Sequence, residues 1–82
     1  MSGLGGVEEF LRFVIGQLVE FPDEVVLSRT ESPERVIFHL TTRKSDVPRV
    51  IGKGGHTIQA IRTLLNASAH RRGLKATLEI LE

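Results

Sequence analysis

Val50-Ile51-Gly52-Lys53-Gly54-Gly55-His56-Thr57-Ile58-Gln59-Ala60-Ile61 is the stretch on which the reading of this chain turns. An apolar run ends in the four-residue loop Gly52-Lys53-Gly54-Gly55, and a helical pattern begins directly behind it. Glycines let the backbone turn sharply and let another backbone approach. A helix N-terminus leaves N–H groups unpaired and carries a partial positive charge. With Lys53 beside them, these groups form a cradle for a phosphate chain.

Working outward, the helix behind the loop carries Ile58, Ile61, Leu64, Leu65 and Ala69 on one face and stops at Gly73. In front of the loop, Ser45 or Asp46 is placed to cap a short helix that brings Val47, Val50 and Ile51 to the glycines; Pro48 is tolerated in its first turn. Upstream, Arg35 to Thr42 alternates, with Val36, Phe38 and Leu40 on one face. Ser32-Pro33-Glu34 is a turn signal, and the segment from Val25 to Glu31 is β-rich, so the two strands read as an antiparallel hairpin. The first helix has apolar residues at Val7, Phe10, Leu11, Val14, Leu18 and Phe21 and ends before Pro22. Residues 1–6 read as a flexible leader, and residues 7–82 as one domain. Lys75 to Leu81 alternates as a last strand. The expected fold class is α+β in the order α-β-β-α-α-β, a three-stranded sheet covered on one face by three helices.

Three phosphate-binding loops compete for the glycine run. A P-loop needs Gly, four residues, then Gly-Lys-Ser/Thr after a strand; here Lys53 lies inside the glycines and His56-Thr57 follows. A dinucleotide fingerprint needs a third glycine where Thr57 stands, and a strand where a helix precedes the loop. The remaining reading is a helix–GxxG–helix clamp on a nucleic-acid backbone. Residues 50–61 resemble the K-homology (KH) core motif V-I-G-x-x-G-x-x-I-x-x-I at every fixed position. The helix and hairpin ahead of the motif, with room for only one strand after Gly73, resemble the type II order of bacterial KH domains.

The whole chain is similar to the small stand-alone bacterial KH proteins of the KhpA family. The likeness extends to Pro22-Asp23-Glu24-Val25, to Asp46-Val47, and to Ala60-Ile61-Arg62 with Leu64-Leu65. This resemblance implies a type II KH fold and binding of single-stranded RNA, in the role of an RNA chaperone or post-transcriptional regulator. It also implies pairing, as a homodimer or with a larger multidomain KH protein. The family often carries arginine just after the loop, whereas this chain has His56, which is only partly charged near neutral pH.

The expected RNA contacts are therefore Gly52, Lys53, Gly54, Gly55 and His56. Ile51 and Ile58 either floor the groove or belong to the core, and Arg49 and Arg62 either reach the RNA or face solvent. Arg43 and Lys44 are further candidates. With four Phe and neither Trp nor Tyr, an aromatic stacking platform is not expected. Charge agrees with a polyanion partner: residues 1–40 hold three cations against seven carboxylates, residues 41–82 eight against three.

No cysteine is present, and His39, His56 and His70 lack metal-ligand spacing, so no cofactor or metal is expected. No apolar run approaches the ~20 residues of a membrane span, and no signal-peptide pattern is visible, which points to the cytoplasm. No acid–base pair or nucleophile arrangement suggests an enzyme. The alternative to an RNA-binding module is a pairing module, whose mark would be exposed Ile, Leu or Val on the helix behind the loop or on an edge strand.

Overall fold

Helix α1 (Gly3–Leu18) forms around an i, i+4 series, Val7, Leu11 and Ile15, continued by Val19; all four are buried. The computed structural model describes residues 3–81, with side chains from residue 6 onward. The helix starts at Gly3, ahead of the expected Val7, so residues 3–6 are wound into it; residues 1–2 lie outside the described residues. Once a turn is anchored by buried side chains, each added residue gains a hydrogen bond at little further cost. The buried stripe also differs from the expected one. It centres on Leu11 and Ile15, while Phe10 and Phe13 are exposed.

α1 ends at Leu18, three residues earlier than the expected Phe21. The N–H groups of Glu20 and Phe21 do not continue the helical ladder. They donate to the carboxylate of Asp46 instead, at 2.9 and 3.0 Å. A 3-10 turn over Pro22–Glu24 then leads into β1 (Val26–Glu31).

β1 pairs antiparallel with β2 (Arg35–Thr41), and β2 pairs parallel with β3 (Lys75–Leu81), giving the sheet order β1-β2-β3. The hairpin turn is closed by the Ser32 N–H donating to the Arg35 carbonyl at 2.8 Å. Leu27, Val36, Phe38, Leu40, Ala76 and Leu78 share the covered face and are buried, as the alternation of β2 and β3 predicts. They meet Val50 of helix α2 (Val47–Ile51), the apolar stripe of α1, and Ile58, Ile61, Leu65 and Ala69 of helix α3 (His56–His70) in one core. The three helices therefore lie on one face of a mixed three-stranded sheet, an α+β fold. Burial of each large aliphatic or aromatic side chain in this core contributes about 1.5–3 kcal/mol relative to exposure.

α3 ends at a left-handed glycine, Gly73, with the Leu74 N–H donating to the Ala69 carbonyl and the Gly73 N–H to that of His70. Its flank lies along the outer side of β3. Arg62 directs Nε and Nη2 to the Leu78 carbonyl at 3.1 and 2.9 Å, and Asn66 Oδ1 accepts the Ala76 N–H at 3.2 Å.

Candidate functional site

α2 is only five residues long, too short to hold itself in place, yet it carries the glycine loop. Its position is fixed from outside. Val47 and Val50 are buried in the core side of the helix. Asp46, fully buried at the head of α2, was expected to cap that helix. Its side chain makes no cap bond and reaches across to the two N–H groups behind α1. Arg49 Nε lies 3.4 Å from Asp46 Oδ1, and its Nη2 3.8 Å from Glu20. Arg43 lies over the Phe21 ring, 4.1 Å from the centroid, and pairs with Glu24 at 3.3 Å. The segment after α1 and the segment before α2 are thus locked by one group of charged contacts with a buried carboxylate at its centre.

Beyond Ile51 the chain makes its sharp turn. The Gly52 N–H donates back to the Pro48 carbonyl at 2.9 Å, and the Gly55 N–H to the Gly52 carbonyl at 3.1 Å. Gly52, Gly54 and Gly55 all have positive φ, of 78, 65 and 77°. Gly52 is the most constrained. A Cβ there would sit 2.6 Å from Thr57 Cβ and 3.0 Å from the Thr57 backbone nitrogen. A backbone at φ 78° and ψ 170° is open essentially to glycine alone and costs another residue about 1–3 kcal/mol, and Thr57, fixed in the first turn of α3, cannot retreat. Gly52→Ala is therefore expected to lower stability by about 2–6 kcal/mol, with the overlap added to the backbone cost. A thermal melt by circular dichroism reads this directly, and a melt within a degree or two of the parent would show that the loop relaxes freely.

The loop opens on the start of α3. The residue before this helix is Gly55, and no side chain caps it, so the positive end of a fifteen-residue helix faces outward uncapped. Lys53, Gly54 and His56 are exposed beside it, and the imidazole lies over Gly54, where an added Cβ would meet Nε2 at 3.6 Å. Among the described residues Lys53 enters no ion pair. Chemically the arrangement offers backbone N–H groups, a helix dipole and one exposed cation to a negatively charged group.

The structure brings Ile51, Gly52, Lys53, Gly54, Gly55 and His56 together at this corner, with Ile51 partly exposed. It places the other expected residues elsewhere. Ile58 is buried in the core cluster below. Arg49 and Arg43 are engaged in the lock around Asp46 and Phe21. Arg62 is engaged with β3. His39 is also in contact, with Nε2 3.1 Å from Thr30 Oγ1 and Nδ1 3.7 Å from Glu79. Sequence reading missed the part played by Asp46, since nothing in a lone aspartate before a short helix says that its carboxylate turns backward. Among the described residues no three metal-ligating side chains converge, and no helix is long and apolar enough to cross a membrane.

A helix–GxxG–helix joint set on an α-β-β-α-α-β sheet defines the class: this is a KH domain with the type II order of elements. The family model described as "KhpA/KhpB, KH domain" matches residues 8–80. The RNA-binding protein KhpA of Chlamydia trachomatis is 43% identical over 76 residues, covering 93% of this chain and 97% of the relative. KhpA of Borreliella burgdorferi is 38% identical over 82 residues and covers 100% of both, and that of Listeria monocytogenes is 37% identical over 76 residues, 93% of this chain and 100% of the relative. The chain belongs to this KhpA/KhpB family of KH domains, which is not an enzyme family.

Proposed function

We propose that the chain is a non-enzymatic RNA-binding protein of the cytoplasm that grips short single-stranded RNA through the Gly52–Gly55 loop. The observation that carries this reading is the uncapped N-terminus of α3 behind three left-handed glycines, with Lys53 unpaired beside it. The relatives' printed name, RNA-binding protein KhpA, supports the same ligand. In this reading Lys53 and the loop N–H groups not already bonded within the chain hold phosphates, and His56 adds a contact. Ile51 lies under the bases, while Ile58 supports that floor from the core. The cellular role is that of an RNA chaperone or post-transcriptional regulator. About three phosphates neutralised give a slope of log affinity against log salt of roughly −2 for a single strand. Fluorescence anisotropy with a short labelled oligonucleotide at several salt concentrations tests it; affinity independent of salt would exclude a backbone grip.

A second reading, pairing with another KH protein or a second copy, is favoured by exposed apolar side chains on the helical side. Phe13 is 65% exposed and Leu64 52%. Leu64 lies one turn from Ser68, which shares a cleft with Phe10, Arg71 and Arg72. Leu64→Asp is expected to shift any dimer seen by light scattering to monomer and to leave loop-mediated binding in place. A dimer that survives this change is held elsewhere.

A further inference from the structure

We propose that the chain carries a second grip for RNA backbone, formed by Arg35, Arg71, Arg72 and Lys75 at the end of α3 remote from the glycine loop. This rests on the reading that the ligand is RNA, and it adds a site that the loop does not contain. The argument starts from where unspent positive charge lies. Among the described residues Arg12, Arg29, Arg43 and Arg49 each pair with a carboxylate, and Arg62 is engaged with a backbone carbonyl. Apart from Arg62, the cations outside every ion pair among the described residues are Lys44 and Lys53, near the loop in sequence, and then Arg35, Arg71, Arg72 and Lys75. The chain therefore keeps its free cations in two places.

The second place is built by three converging segments. Arg35 and Lys75 are direct register partners on neighbouring strands, so two like charges stand side by side, an arrangement that costs stability without an anion between them. Both line a shallow cleft with Ser32, Glu34 and Gly73. Glu34 is the one carboxylate in that cleft. Arg71 and Arg72, exposed on the turn between α3 and β3, line the neighbouring cleft with Phe10 and Ser68, and Gly73 of the same turn lines the one of Arg35 and Lys75. Arg72 uses Nη1 on the Ser68 carbonyl at 2.8 Å and keeps its remaining donors. The negative end of α3 accounts for cations at positions 71 and 72. It does not account for the Arg35–Lys75 pair on the strands, which a phosphate chain would neutralise.

Fifteen residues of α3 separate the two places by about 22 Å. The ~4 nucleotides that a GxxG loop holds reach only one of them. A longer strand engages both ends, and two segments of RNA are then held by one small protein.

The test uses the full chain and two oligouridylates, of about 5 and about 20 nucleotides. The variant Arg35→Gln/Arg71→Gln/Arg72→Gln/Lys75→Gln is expected to bind the short probe within about twofold of the parent. It should bind the long one about tenfold more weakly, with a salt slope shallower by about 2–3. A melting curve confirms that the variant is folded, and the pair Arg35→Gln/Lys75→Gln alone, which removes only the strand charges, gives a smaller loss of the same kind. The proposal is overturned if the long probe binds as well as to the parent. It is equally overturned if both probes weaken alike, which is a general field effect. The loop reading fails by a different sign: a variant charged negatively in the loop would keep the short probe.

Discussion

The variant Lys53→Asp/Gly54→Asp is expected to lose affinity for short single-stranded RNA by at least about 100-fold, which is roughly 3 kcal/mol, while remaining folded. The loss follows from charge. One cation is removed and two carboxylates are placed in the loop proposed to hold phosphate, so contacts worth about 1.5–3 kcal/mol each would become repulsive. Retention of the fold follows from geometry. Lys53 is exposed. Gly54 has φ 65° and ψ 14°, the left-handed region that aspartate tolerates better than most residues, and its added Cβ meets only the His56 ring at ordinary contact distance. Gly52 offers no such room, so the same experiment at that position would confuse binding with folding. Anisotropy titration beside a thermal melt reads both halves; parental affinity in a folded variant would place the RNA site away from the loop.

Asp46→Ala is expected to be the most destabilising single change in the polar set, by about 3–5 kcal/mol. Its carboxylate is fully buried and accepts two backbone N–H groups that have left the α1 ladder. Truncation leaves those donors without partners, at about 1–3 kcal/mol each, and opens a cavity beneath α2. A chain of 82 residues has of the order of 4–12 kcal/mol to lose. The midpoint should fall by about 12–40 °C, at about 4–8 °C per kcal/mol. Asp46→Asn keeps one acceptor and should fall between the parent and the alanine variant. Arg49→Ala, which removes a half-exposed partner, should cost no more than about 1 kcal/mol. A melt of Asp46→Ala within 5 °C of the parent would show that buried apolar contacts alone hold α2.

The parts of the fold legible in the sequence were those written as periodicity or as a motif. β2 and β3 alternate cleanly because one face is buried and the other open, and Val36, Phe38, Leu40, Ala76 and Leu78 are buried as read, while Ile80, expected on the same face near the end of β3, is only partly buried. The start of α3 at His56 is marked by glycines whose positive φ no helix interior would accept. α1 was harder. Phe10 and Phe13 are as apolar as anything in the core, and hydropathy alone cannot say that Ile15 turns inward and Phe13 outward. Its early end depends on Asp46, 25 residues away from Phe21, a contact that no local pattern records. The same limit applied to the arginines around the loop. Arg49 and Arg62 stand near it in sequence, but their directions are set by Glu20, Asp46 and the Leu78 carbonyl, which only the folded chain brings to them.

The hydrogen bonds from Arg62 and Asn66 to β3 bear on how such a chain can assemble. β3 is an outer strand, and an outer strand is a template on which another chain can add its own. Here the Leu78 carbonyl and the Ala76 N–H are already occupied by side chains of α3. On the other side of the sheet the Leu27 carbonyl accepts from Arg12 Nη2 at 3.2 Å. Strand addition at either margin would first have to strip these side chains away, whereas Phe13 and Leu64 stand uncovered on the helices. The sheet margins are in this way obstructed at these three backbone groups, so the pairing proposed above would fall to helical surfaces, where it would not lead on to open-ended stacking of strands.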